Sequence, residues 1–349
     1  MLEVINKFEI NSKIKSHEKY GNGHINDTYL VTTDDKRYIL QKVNTNIFTD
    51  YDGLMENIFN ITDFLRDKII KNNGNPERET LNLIPSKDGK KYYKHGEDVW
   101  RIYSFIENTY CIDKLENPQD FYQSAVAFGN FQKMLDDFPA DKLHETIPNF
   151  HNTPIRFENF EKAFKADKFN RAKEVKEQIS FVLERKDTCK YLTDKLSKGQ
   201  LPLRVTHNDT KLNNILIDKD SNKGICIIDL DTVMPGLVAY DFGDSIRFGA
   251  NHCAEDEQDL GKVSFDKDLY NLYFKGFVEG SNGILTKEEL ASLPYGAYMM
   301  TFECGIRFLT DYLEGDTYFK THYPMQNIYR ANTQFKLAYQ MSKELNLFM

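Results

Sequence analysis

The chain is short of cysteine, of long apolar runs and of positive charge, and each shortage narrows what it can be. Its five cysteines, Cys111, Cys189, Cys226, Cys253 and Cys304, fall in no C-x-x-C pair, so neither a disulfide framework nor a cysteine-held zinc site is expected. The eight histidines lack metal-ligand spacing and H-E-x-x-H is absent, which leaves Asp and Asn oxygen as the donors for any metal. No stretch reaches the ~18 unbroken apolar residues of a membrane span, and the opening "MLEVINKFEINSKIKSHEKYG" has no leader-like apolar core. A cytoplasmic location with no membrane partner is therefore expected. Lys and Arg number 45 against 53 Asp and Glu, a net charge of -8, and without a basic surface nucleic acid is not an expected partner.

What is present suits a two-lobed enzyme. At 349 residues the chain exceeds a single core, which stops growing near ~250–300 residues. The 20 Tyr and 25 Phe can line pockets. The first hundred residues read as strands with one helical interlude. Tyr29–Thr33 and Arg37–Val43 flank an Asp-Asp turn, a hairpin signal. "MENIFNITDFLRDKII" spaces Ile58, Ile61, Leu65 and Ile69 as an amphipathic helix, and short strands follow over 82–86, 90–95 and 99–105. From about Asp113 helices dominate, interrupted by a second hairpin of 214–218 and 224–230. Two domains are expected, residues 1–107 and 108–349, with a hinge near Ser104–Glu107.

The second hairpin carries a polar island, "VTHNDTKLNNILID", in which His207, Asp209, Lys211 and Asn214 follow one another as H-x-D-x-K-x-x-N between apolar runs. Phosphoryl transfer needs that set: a carboxylate to orient the acceptor hydroxyl, a cation on the moving group, and hard oxygen ligands for magnesium. Asp209, Lys211 and Asn214 suit those roles, with His207 as an anchor. Asp229, in "IIDLD" at the end of the partner strand, is the expected second magnesium ligand. "DFG" at Asp241 matches a kinase metal motif by its letters, yet lies a further segment on; "YDFGDSIRF" resembles the helix start that braces the loop in small-molecule kinases, which implies that role for Asp241. Asp231 is open to two readings, beside the metal or against the acceptor. "GNGHIND" precedes the first hairpin, where Gly21 and Gly23 would let backbone N–H groups approach phosphate. Taken singly, Lys42 and Glu56 read as solvated residues; in this order they suit a nucleotide lysine and its ion-pair partner. Further on, "TFECGIRFLTDYLEGDTYF" puts Glu303, Arg307, Thr310 and Asp311 on one side of a helix, as an internal Glu303–Arg307 pair or as a grip on substrate oxygens.

Together these segments resemble the aminoglycoside phosphotransferase and choline kinase superfamily. "GNGHINDTYLV", "CIIDLDTVMPGLVAYDFGDSIRFGAN" and "ECGIRFLTDYLEGDTYFK" more closely resemble the N-acetylhexosamine 1-kinases. The resemblance implies an α+β, protein-kinase-like bilobal fold, with a small mixed-sheet N-lobe and a larger helical C-lobe. It implies ATP with Mg2+ as cofactors, and phosphorylation of the anomeric hydroxyl of GlcNAc or GalNAc. It further implies that Asp209 is the catalytic base, that Asn214 and Asp229 hold the metal, and that Lys42 touches ATP. The sugar is expected near Ile25, Phe248, Arg307 and Tyr318. Asn208 stands where protein kinases carry an arginine, and little chain separates Asp229 from Asp241, so a protein substrate is not expected. A monomer acting on a small molecule is expected. The alternatives are a kinase of choline, homoserine or an aminoglycoside, and a nucleotide-binding module without activity.

Overall fold

The computed structural model describes residues 1–21 and 25–348 and divides into two compact units. The first comprises residues 1–112, 134–148 and 213–235. In chain order its N-terminal strands are β1 (Ile14–Lys19), β2 (Asp27–Thr33), β3 (Arg37–Val43), β4 (Leu83–Ile84), β5 (Tyr93–His95), β6 (Asp98–Ser104) and β7 (Thr109–Tyr110). The main sheet runs β1-β2-β3-β6-β4 with β5 also on β6, and its pairings are antiparallel.

Side-chain alternation gives that sheet two different faces. Tyr38, Leu40, Trp100 and Ile102 point into a core closed by Val4, Ile5, Phe8 and Val31. Gln41 and Arg101, opposite one another in the ladder, lie on the other face, where Met55 brings its sulfur to 4.0 Å from Arg101 Nη1. Met55 belongs to the helix Tyr51–Lys71, which starts where Asp50 accepts the Gly53 N–H and buries Leu54, Ile58, Ile61, Leu65 and Ile69 at helical spacing.

The second hairpin, Ile215–Asp218 with Gly224–Ile227, extends β7. The Lys219 N–H donates to the Asn108 carbonyl at 3.1 Å, and Arg78 pairs with Asp218 at 2.7 Å. These bonds draw residues 213–235 into the first unit, so the units are not the continuous segments 1–107 and 108–349. Pattern reading sees where a strand lies in the chain but not the ladder it joins.

The second unit comprises residues 113–133, 149–212 and 236–349. Its long helix, Lys287–Leu313, starts with a capping box of Thr286 and Glu289. This helix meets the Val238–Gly249 helix glycine to glycine: a Cβ on Gly243 would sit 2.2 Å from the Gly296 carbonyl oxygen, and one on Gly296 2.1 Å from that of Ala239. Phe160, Phe302, Ile306, Leu309 and Ala338 are among its fully buried core. The helical pattern through Phe319 stops early, at Leu313. Gly315 turns the chain at φ 94°, and the Asp311 carboxylate accepts the N–H groups of Thr317, Tyr318 and Phe319 at 2.7–3.0 Å. Among the described residues no helix is long and apolar enough to cross a membrane.

Candidate active site

In the second unit the polar island leaves the strand Arg204–Thr206 and turns sharply at Asn208, whose φ is 64°. That left-handed residue makes two successive N–H groups converge. His207 donates to Asp241 Oδ2 at 2.9 Å and Asn208 to Asp241 Oδ1 at 2.8 Å, while Gln132 donates to Oδ2 at 2.8 Å. Thr210 donates through its N–H to Asp244 at 3.0 Å and through its hydroxyl to the Asp241 carbonyl at 2.6 Å. The first turns of the Val238–Gly249 helix therefore hold the loop from below, and Asp241 is a brace despite its "DFG" setting. Burial pushes its carboxyl above the ordinary value against the pull of His207 and these donors. His207 is fully buried, edge-on to Phe128 and Phe131, which is an anchor's place.

Asp209 and Lys211 project from this held loop and pair at 2.8 Å. Burial alone would raise the Asp209 carboxyl, but Lys211, helped by His207 and Arg247, holds it below the ordinary range. Lys211 also lies over the Phe248 ring, 5.3 Å from its centre, and Phe248 is exposed.

Glu303 does not pair with Arg307. It accepts from Thr153 at 2.6 Å and meets His151 Nδ1 at 3.0 Å, and the other His151 nitrogen lies 3.4 Å from the Asn208 carbonyl. Arg307 is left among rings: Phe150, Tyr318 and Phe319 have their centres 5.4–5.8 Å from its guanidinium. Among the described residues its hydrogen-bond partner is the Tyr318 hydroxyl at 3.5 Å, and no carboxylate pairs with it. Arg156 stands close by, held below its usual value first by burial and then by the Arg307 charge. The unit thus joins Arg307 to Tyr318; Ile25 belongs to the other unit and is exposed.

In the first unit the Ile228 N–H donates to the Asn214 carbonyl at 2.9 Å, which sets Asn214 opposite Ile228, one residue before Asp229. Asp229 takes φ 60° and heads a turn over 230–232 with its side chain exposed. An amide and a carboxylate oxygen fit magnesium, which keeps several waters and takes few protein ligands; among the described residues no group of three or more His, Cys, Asp or Glu could hold a metal. Asp231, two residues on, is buried. Arg101 pairs with it at 2.6 Å, the side chains being 1% and 4% exposed, and Asn26 donates to its other oxygen at 2.6 Å.

The expected Lys42–Glu56 pair is not formed. Lys42 shares the sheet face of Leu40 and Trp100 and pairs with Asp98 at 2.7 Å, while Glu56 meets His144 at 2.9 Å. Gly21 has φ 74°, as a tight turn requires; Gly23 lies outside the described residues.

Solved structures repeat this architecture, a kinase-like α+β fold. A microcompartment-associated aminopropanol kinase superposes with a TM-score of 0.61 at 14% identity, over 99% of this chain and 96% of that one. An aminoglycoside phosphotransferase from Alicyclobacillus acidocaldarius gives the same values. A spectinomycin phosphotransferase in complex with ADP and spectinomycin gives 0.56 at 16% identity, over 95% and 94% of the two chains. The chain belongs to the phosphotransferase enzyme family, whose model matches residues 16–269.

Proposed function

We propose that the protein is an ATP-dependent small-molecule kinase that phosphorylates the anomeric hydroxyl of an N-acetylhexosamine, GlcNAc or GalNAc, giving the sugar 1-phosphate. Family membership supports the phosphotransferase chemistry, and the ADP in the spectinomycin phosphotransferase supports the nucleotide. The sugar reading rests on Arg307. A guanidinium without a carboxylate partner among the described residues, ringed by Phe150, Tyr318 and Phe319 and close to Arg156, repels a cationic acceptor such as choline, ethanolamine or an aminoglycoside. It suits a neutral ligand that offers hydroxyl and carbonyl oxygen to the guanidinium fork and a pyranose face to the rings.

In this reading Asp209 orients the attacking hydroxyl and takes its proton, and its low basicity suits positioning more than early deprotonation. Lys211 moves from Asp209 onto the phosphoryl oxygens as their charge develops. Asn214 and Asp229 would hold magnesium, which neutralises phosphate oxygens when bound. ATP turnover measured with GlcNAc, GalNAc, choline, homoserine and kanamycin tests the acceptor, and phosphorus NMR of the product reads the position. Stimulation by a hexosamine with an anomeric phosphate is expected, and its loss by about a thousandfold or more in Asp209→Asn. Preferential turnover of choline or kanamycin would overturn the reading.

A further inference from the structure

The first unit contains a charged group that neither the motif spacing nor the chemistry above uses. Arg101 is an arginine in the middle of a buried strand, Asp98–Ser104, and its side chain is fully enclosed. Its Nε and Nη2 both donate to Gln41 Oε1, at 3.0 and 2.8 Å, and Nη2 pairs with Asp231. Gln41 in turn donates to Thr28 at 3.1 Å. Such a charge is costly to bury unless its geometry does something.

Asn26 shows what that geometry does. Its Oδ1 accepts the Asn44 N–H at 2.9 Å, which fixes the amide orientation, so its Nδ2 must point at Asp231 Oδ2. The Asn44 amide also donates to the Ile25 carbonyl at 3.3 Å. The chain at Ile25 and Asn26 is thereby fastened to the 230–232 turn, whose first flanking residue is the exposed Asp229. From the helix side, Asn57 donates to the Val233 carbonyl at 3.1 Å and holds the segment just beyond.

Alternation along β3 decides which cation belongs to this face. Gln41, not Lys42, is in register with Arg101. Lys42 is committed to Asp98 on the opposite side.

We propose that Arg101, Asp231 and Asn26 form a latch that sets the spacing between the chain at Ile25–Asn26 and Asp229, and so position the nucleotide phosphates in place of a Lys42–Glu56 pair. All three are positioning residues; Asp231 is neither a metal ligand nor an acceptor contact. The proposal rests on nucleotide use but not on the identity of the acceptor.

The test follows from hydrogen-bond polarity. Asp231→Asn puts an amide donor against either the Asn26 donor or the Arg101 guanidinium, so the two halves of the latch cannot both close; Asn26→Ala removes the other half. Combining Asn26→Asp with Asp231→Asn reverses donor and acceptor and closes it again. Titration of Mg-ADP into the full chain without acceptor, with ATP kinetics alongside, reads the effect. Each single variant is expected to weaken ADP binding by about tenfold or more, the scale of a lost bond to a charged group. KM for ATP should rise with it while kcat at saturating ATP changes much less. The reversed pair should recover most of the affinity. A role confined to stability lowers the melting temperature but leaves the KM-to-kcat split untouched, and that result overturns the proposal. So does a larger loss of ADP affinity in Lys42→Ala than in Asn26→Ala. Wild-type protein that binds no Mg-ADP refutes nucleotide use itself, a separate failure.

Discussion

Asp241→Asn bears most directly on how the loop over residues 207–211 is held, because it keeps the side chain's shape and changes only what its oxygens can accept. Three donors converge on that carboxylate: the His207 and Asn208 N–H groups and the Gln132 amide. An asparagine presents one acceptor and one donor. Wherever its amide nitrogen points, at least one buried N–H group loses its partner and faces another donor, at a cost of about 1.5–3 kcal/mol. Gln132 cannot reverse its amide without losing its bond to the Val205 carbonyl at 3.0 Å, but removing a buried charge returns part of the desolvation penalty, leaving a net loss of about 2 kcal/mol. At ~2–4 °C per kcal/mol for a unit of this size, the melting temperature should fall by about 4–8 °C. The kinetic effect should be larger in proportion. Asn208 keeps its left-handed backbone because both flanking donors are held, and a shift of about 1 Å at Asp209 can cost about a hundredfold in turnover. Thermal unfolding followed by circular dichroism, with kcat measured well below the transition, checks both. A melting temperature within about 1 °C of wild type together with turnover within twofold would refute the brace.

Two further outcomes follow from packing and charge. Gly296→Ala forces a methyl onto the Ala239 carbonyl, and about 2 kcal/mol or more should be lost from the urea-unfolding free energy; wild-type stability would show that the two helices have slack. The Asp218 carboxyl is lowered to about 2 by hydrogen bonds from Arg78 and Ser221, so its contribution is present above the ordinary carboxylate value and is lost as pH falls toward about 2. The difference in melting temperature between wild type and Asp218→Asn should therefore be full at neutral pH and shrink through that acid window. A difference that stays constant as the pH is lowered would exclude the linkage.

Local patterning made the first hairpin, the helix expected over 55–70 and found over 51–71, and the strands around the polar island readable, because each is specified by residues a few positions apart. The brace role of Asp241 was legible only through the likeness of "YDFGDSIRF" to a helix start that braces this loop in small-molecule kinases, and its carboxylate does accept the His207 and Asn208 N–H groups. Lys42 shows where such reading stops. Whether it or Gln41 faces the Tyr51–Lys71 helix depends on one step of strand parity, and spacing along the chain cannot count that step. Glu303 and Arg307 sit at ideal helical separation, yet Glu303 turns to His151 and Thr153, partners from distant segments. Arg101 carried a usable signal, a lone guanidinium in the apolar run "VWRIYSF", but not the identity of its partner.

That partner has a consequence for how the protein is made. Arg101 leaves the ribosome about 130 residues ahead of Asp231; at ~5–20 residues per second the interval is roughly ten seconds. During it the nascent sheet carries an uncompensated charge on the face it must bury, and β7 lacks the strand that pairs with it. The N-terminal segment therefore cannot settle as it emerges. Its completion waits on residues 213–235, which are synthesised after residues 113–133 and 149–212 of the second unit, so the first unit closes late in translation.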